Sequence, residues 1–252
     1  MHNIQMEPLT MTQRVIEISS PVFMEPAALA QCDSLDRLFA HKRPLALEIG
    51  CGTGDFIVQR ARQFPHINHI AIDIYNKGCL KTCKRIERHD LDNVRVLRIE
   101  ARYLLSLFSA TEALRAVYIN CPDPWPKKRH RRRRLVNHRL LLQLAHYLEP
   151  GGTLYFATDV EDYAFEVAMT LEEMPEFINQ LKAPIAYQLE GYPISRYMRR
   201  FKEQNLPIHF IQQQRDPAIR LERAHMPALE LSFRCRHPEA PHIDEAQLCS
   251  NI

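Results

Sequence analysis

Glycine is scarce in this chain, with only seven in 252 residues, and tryptophan occurs once. The composition is neither collagenous nor that of a glycine-rich disordered segment. No apolar run approaches the ~20 residues that span a bilayer. Met1 to Arg14 lacks the apolar core of a secretory leader. The chain therefore reads as soluble and cytoplasmic, with no membrane partner. Cysteines number seven, an odd and scattered set. Cys79 and Cys83 have C-x3-C spacing, but no second pair or nearby histidine completes a zinc site, so no metal is expected. Reduced, mostly buried thiols fit a cytosolic chain of this size better than a disulfide framework.

What is present is ordinary in amount and unusual in distribution. Hydrophobic residues make up 46% and charged residues 25%, enough for one large domain with appendages. The net charge is +3, yet Lys127 to Arg134 reads KKRHRRRR and holds seven of the 33 basic side chains; without those seven the remainder would stand at −4. A slightly acidic body with one concentrated basic patch suggests a docking surface for a polyanion. The glycines cluster too, at Gly50, Gly52 and Gly54, then at Gly151 and Gly152.

From Pro44 onward strands and helices alternate. Strands are predicted at Leu45–Ile49, His69–Ile74, Val94–Ile99, Ala116–Asn120 and Thr153–Ala157. Helices are predicted at Phe56–Phe64, Lys77–His89, Tyr103–Phe108, Leu135–Leu148 and Tyr163–Met174, with Pro150-Gly151-Gly152 stopping the fourth. This rhythm implies an α/β fold with a doubly wound, mostly parallel Rossmann-like sheet and helices on both faces. A closing strand is expected within Pro207–Gln212, and Leu229, Leu231, Phe233 and Cys235 alternate like a late edge strand. The expected organisation is an arm over 1–43 with a short helix from Asp33 to Phe39, a main domain over 44–214, and an extension over 215–252 ending in a loose tail.

Ligands of such sheets bind beyond the carboxyl ends of the strands. Glu48-Ile49-Gly50-Cys51-Gly52-Thr53-Gly54 follows the first predicted strand, where glycines permit a tight turn and close approach to a ligand. The dinucleotide fingerprint G-x-G-x-x-G has two residues in its second gap, and this chain has one, which disfavours an NAD oxidoreductase. The pattern E-x-G-x-G-x-G resembles motif I of class I methyltransferases, which bind S-adenosyl-L-methionine. Asp73, ending the next strand, is suited to accept hydrogen bonds from both ribose hydroxyls, and Glu100 follows the third strand. A plain structural turn and a solvated strand end are the bland alternatives.

Asn120-Cys121-Pro122-Asp123-Pro124-Trp125-Pro126 follows the fourth strand. Three prolines in five residues stiffen it and fix the position of one carboxylate. Trp125 is suited either to stack on a base or to pack as a lid. The basic run that follows reads in isolation as a solvated helix start or a localisation signal. Beside a ligand site it reads as phosphate contacts that orient a nucleic acid.

PDPWPKKRHRRRRL, taken with LEIGCGTG and ATDVEDYA (Ala157 to Ala164), resembles the bacterial tRNA (guanine-N7-)-methyltransferases from about Pro44 to about Gln212. The resemblance implies transfer of a methyl group from S-adenosyl-L-methionine to guanine N7 in tRNA, at the variable-loop guanine 46, by a monomer or homodimer. It implies cofactor contacts at Glu48, Gly50, Gly52, Gly54, Asp73, Glu100 and Asp123, with Asp123 catalytic. It implies substrate contacts at Lys127, Asp159, Ser195, Arg196, Tyr197 and Met198, and an RNA grip by Arg129, His130, Arg131, Arg132, Arg133 and Arg134. Glu100 stands where the family usually has aspartate, and Met198 stands in place of a glutamate expected in the guanine pocket. Two rivals stay open. An amino-methyltransferase would carry an Asx-Pro-Pro-aromatic loop at this place, whereas the order here is Pro-Asp-Pro-Trp followed by a basic run. A non-catalytic tRNA-binding paralogue would draw support from Met198 and Glu100.

Overall fold

A computed structural model describes residues 16–25, 34–107 and 111–227. Its strands are β1 (Phe23–Met24), β2 (Leu45–Ile49), β3 (Asn68–Asp73), β4 (Val94–Arg98), β5 (Leu114–Asn120), β6 (Leu148–Thr158), β7 (Phe177–Asn179) and β8 (His209–Arg215). The helices are α1 (Asp55–Gln63), α2 (Asn76–Arg88), α3 (Ala101–Leu107), α4 (His138–Tyr147), α5 (Glu161–Glu172) and α6 (Arg196–Glu203). One sheet runs in the order β1-β4-β3-β2-β5-β6-β8-β7, parallel through β6, with β8 antiparallel to both β6 and β7. The mostly parallel α/β architecture read from the sequence is the one observed. After β1 at one edge, the chain enters β2 in the middle, winds outward through β3 and β4, then crosses back to β5. That reversal creates a switch point between β2 and β5, where a crevice opens at the carboxyl edge.

Alternation along each strand sends side chains to both faces. Leu47 and Ile49 join Ile72, Ile119, Leu141, Leu144 and Tyr163 beneath α4 and α5. On the other face Ala71 and Val96 pack with Ile57 and Ala61 of α1 and Cys79, Cys83 and Ile86 of α2. Phe56, Tyr118, Tyr192, Met198 and Phe210 form a third, aromatic-rich cluster. Fully burying residues such as Leu47 or Ile72 contributes about 1.5–3 kcal/mol each.

Several boundaries differ from the sequence expectation for local reasons. The fourth helix begins at His138, not Leu135, because Asn137 caps it: its Oδ1 accepts from Leu140 N at 3.0 Å. Pro150-Gly151-Gly152 does not stop that helix, which ends at Tyr147. It lies inside β6 as a bulge, where the register on β5 slips between the pairs Leu114–Leu148 and Ala116–Thr153 and Gly151 takes φ +81°. The short early helix is a 3₁₀ turn over Leu35–Leu38, and Asp33 lies outside the described residues. So do the alternating residues Leu229 to Cys235, the tail from His237, and Phe108. Strands β1 and β7 and helix α6 had no counterpart in the sequence reading. Ile18 and Val22, from the segment read as an arm, are buried against the α1–α2 face.

Candidate functional site

The switch-point crevice is built around the turn after β2. Gly50 N and Cys51 N both donate to Ile72 O, at 2.9 and 3.0 Å, which pins the turn to β3. Gly52 and Gly54 adopt φ +56° and +78°, a left-handed backbone that glycine tolerates best. Gly52 N donates to Asp73 Oδ2 at 2.8 Å, and Tyr75 N donates to Asp73 Oδ1 at 2.8 Å. Each oxygen of Asp73 thus keeps a lone pair for a further donor. Burial raises the Asp73 carboxyl above its ordinary range, and the charge of Asp123 adds to the shift.

Glu48 projects from β2 on the same face as Tyr118 and Asn120 of β5. Its Oε1 accepts from Asn120 Nδ2 at 3.3 Å, and Asn120 Oδ1 accepts from Tyr192 OH at 2.8 Å. The second oxygen, Oε2, is buried without a hydrogen-bond partner. Burial pushes this carboxyl up to about 8. At the end of β4, Glu100 accepts from Arg102 N, Arg102 Nε and Tyr103 N, and so caps the first turn of α3. Just beyond Asp73, Ile74 and Tyr75 are 40% and 43% exposed, which offers apolar surface beside the two carboxylates. Such a set can hold a ligand with hydroxyls, a flat ring and a cationic end.

The loop after β5 is anchored at both ends. Cys121 N donates to Ala157 O at 2.8 Å, and Arg134 Nε donates to Pro124 O at 2.9 Å. Cys121 and Trp125 take φ +46° and +42°, uncommon for residues with side chains, so the loop holds a strained shape. Asp123 is exposed at its apex. Trp125 stands edge-to-face with His130, ring centroids 5.8 Å apart, and Arg133 lies 5.1 Å over its ring. It packs within the loop, as a lid would. Lys128–Arg133 forms a 3₁₀ helix with Lys128, Arg129 and Arg132 exposed.

Arg134 differs from the rest of its run. Its guanidinium is fully buried, paired with Asp162 and Glu166 of α5 and stacked 4.5 Å over Tyr163. It is a strut between loop and helix, unavailable to phosphate, which corrects its assignment to the RNA grip. Arg131 also pairs with Asp162. Asp159, after β6, is half-buried, and burial raises its carboxyl. Among the described residues no group of three or more His, Cys, Asp or Glu is placed to hold a metal, and no helix is long and apolar enough to cross a membrane. A separate cleft of about 410 Å³ lies at the amino ends of the strands, lined by Arg60, His66, Arg115 and Tyr155, away from the glycine turn.

Comparison with known proteins agrees with this geometry. A family model described as "Putative methyltransferase" matches residues 42–211. The tRNA (guanine-N(7)-)-methyltransferase of Syntrophotalea carbinolica is 54% identical over 224 residues, which cover 89% of this chain and 97% of that one. The protein of the same name from Geobacter metallireducens is 50% identical over 201 residues, covering 79% and 95%. The chain belongs to the tRNA (guanine-N(7)-)-methyltransferase family. The fold is also that of the 16S rRNA methyltransferase KamB, with TM-score 0.53 at 18% identity over 81% of this chain and 97% of that one.

For a member of this family, the segment 189–198 shows most clearly where sequence reasoning stopped. Ser195 caps α6, its Oγ accepting from Met198 N at 3.2 Å. Tyr197 is 55% exposed, with its ring 3.8 Å from where a Cβ on Gly52 would stand. Arg196 is exposed beside it. Met198, expected in the guanine pocket, is instead fully buried in the aromatic cluster with Phe56, Tyr118 and Tyr192. Asn120 and Tyr192, which orient Glu48, were not singled out. Nor was Gly78, where a Cβ would stand 2.5 Å from Gly52 O. Only Asn120 carried a signal, as a polar residue ending an apolar strand.

Proposed function

We propose that this protein transfers the methyl group of S-adenosyl-L-methionine to N7 of a guanine in tRNA, at guanine 46 of the variable loop. The supporting observation is the meeting at one switch point of the glycine turn, Asp73 and Glu48 with a rigid loop that carries Asp123 into an exposed basic run. Family membership supports the same reaction. The residues fit the cofactor: Glu48 has an unpartnered buried oxygen, Asp73 has free lone pairs on both oxygens, and Ile74 and Tyr75 offer apolar surface.

S-adenosyl-L-methionine, when bound, supplies a methyl group already activated by its sulfonium centre. Guanine N7 has a lone pair and no proton at neutral pH, so the chain needs no general base. Its work is alignment and electrostatics. Glu48, Asp73 and Glu100 hold the cofactor against the turn formed by Gly50, Gly52 and Gly54. Asp123 holds a negative charge where positive charge passes onto the purine ring. Lys127, Asp159, Arg196 and Tyr197 orient the base, and the exposed members of Lys128–Arg133 grip phosphates. Residues 44–214 carry the reaction in a cytoplasmic protein, with β1 from the segment before them and Arg215 after them completing the sheet.

The test is methyl transfer from labelled S-adenosyl-L-methionine to unmodified tRNA, with nucleoside analysis. N7-methylguanosine that vanishes with Asp123→Ala, and with tRNA carrying adenine at position 46, is the expected result. N7-methylguanosine that persists with adenine 46 overturns the position. An N-methylated amine overturns the reaction. Binding of tRNA and cofactor without transfer identifies a non-catalytic paralogue.

A further inference from the structure

Helix α6 carries a second basic surface. Its eight residues, RYMRRFKE, hold four cations and one carboxylate. Met198 is buried and Phe201 half-buried, which fixes the inward face. Arg196, Arg199 and Arg200, spaced i, i+3 and i+4, share the opposite side, and all three are exposed. None of them forms an ion pair among the described residues. Like charges at these spacings repel, and an arginine in the first turn opposes the helix dipole, so the row weakens the helix that bears it. Rules of local stability are broken in this way where a surface serves a ligand.

The position of α6 identifies that ligand. Tyr197 abuts the glycine turn, and Gln59 of α1 donates to Ile194 O at 3.4 Å, so the start of α6 is tied to the carboxyl edge on the α1–α2 face. The Lys127–Arg133 run is tied to α5, on the α4–α5 face, through Arg131 and Arg134. The two basic segments thus flank the carboxyl edge from opposite faces of the sheet. We infer that Arg199 and Arg200, continuing the row from Arg196, contact phosphates of the RNA strand on the side of the crevice away from the Lys127–Arg133 run. A strand held on both sides cannot swing its target base away from the crevice. This inference rests on the tRNA reading above.

The experiment measures tRNA affinity against salt concentration for the wild type, for Arg199→Gln/Arg200→Gln, and for Lys128→Gln/Arg129→Gln/Arg132→Gln. All five positions are exposed, so the variants keep the fold, which circular dichroism and an unchanged Kd for S-adenosyl-L-methionine check. Loss of two phosphate contacts lowers the slope of log K against log salt by about 1.4–1.8 and weakens tRNA binding several-fold. An unchanged slope in the α6 variant, with a reduced slope in the Lys128 variant, overturns this inference and leaves the tRNA reading standing. Unchanged slopes in both overturn the inference together with the phosphate contacts assigned above.

Discussion

Replacing Glu48 with glutamine isolates what burial does to this carboxyl. The amide oxygen of the Glu48→Gln variant would still accept from Asn120 Nδ2, so the chain from Tyr192 through Asn120 survives. The Glu48 carboxyl ordinarily ionises near 4.5 and is pushed up to about 8 in the fold by burial. Between these values the unfolded chain gives up its proton and the folded chain keeps it. Stability of the ligand-free wild type therefore falls as pH rises through this window, by about 1.4 kcal/mol per unit. Three units separate pH 7.5 from 4.5, which sets a ceiling of about 4 kcal/mol; relaxation around the carboxyl brings the expected value to about 2–4 kcal/mol. Glu48→Gln does not titrate, so its advantage over wild type should be near zero at pH 4.5 and grow to that value by pH 7.5. Urea unfolding at half-unit intervals from pH 4.5 to 8.5 measures it. Binding supplies an independent readout. A cation placed beside Glu48 favours the carboxylate, so cofactor binding at pH 7 should release close to one proton per site in the wild type and none in Glu48→Gln. Calorimetry in two buffers of different ionisation enthalpy counts that proton. A stability difference that does not change with pH, or equal proton release by both proteins, refutes the reasoning.

Asp123→Ala should lower kcat by about 100-fold or more, the scale of losing one preorganised charge at a reacting centre, while cofactor Kd from titration calorimetry changes little; equal losses in both contradict the assignment. Arg134→Met should destabilise by about 2–3 kcal/mol, below the 3–5 of a fully buried pair because Asp162 and Glu166 keep about 40% exposure, and it should leave the salt slope of tRNA binding intact. An unchanged Tm, or a reduced slope, would return Arg134 to the RNA grip. Gly78→Ala gains about 1 kcal/mol of helix propensity, yet its Cβ would meet Gly52 O at 2.5 Å, so cofactor affinity and Tm should both fall. A stabilised variant with normal affinity rules out that close approach as a constraint. Met198→Glu should destabilise, by at least the ~2 kcal/mol of burying an unpaired polar group, and tRNA turnover should fall with it. A rise in kcat/KM for tRNA would show that a carboxylate is wanted there.

The strand rhythm was legible because it depends on local patterns. Leu45–Ile49 is an apolar run closed by glycine, Val94–Arg98 is rich in β-branched and apolar residues, and each is followed by a helical segment. The edge elements were not legible, because their order is imposed from outside. Phe23–Met24 is two residues long and becomes a strand only by pairing with Val96 and Leu97. Phe177–Asn179 depends in the same way on β8. The acids at strand ends, Glu48, Asp73 and Glu100, were readable from the rule that α/β ligands bind there. What holds them was not. Asn120 lies 72 residues from both Glu48 and Tyr192, and no periodicity links them.

The basic run and the segment from Ser195 expose a different limit. Sequence shows charge and residue type, and contact decides their use. Arg134 is chemically the same as Arg132, yet the loop turns it inward, where Pro124 O, Asp162 and Glu166 take its donors. Met198 occupies a position where a carboxylate was expected, but the residues around it are Phe56, Tyr118, Tyr192 and Phe210, and a charge among them would be poorly solvated. Methionine suits such an irregular aromatic pocket, since its thioether packs well against rings. Two polar groups stay accessible at the carboxyl edge: Asp159, half-buried beside Cys121, and Tyr197, exposed beside Gly52. Helix α6 thus has two opposed faces. Its apolar side, through Met198 and Phe201, fixes the helix to the sheet, and that anchoring holds Tyr197 and the arginine row at the crevice.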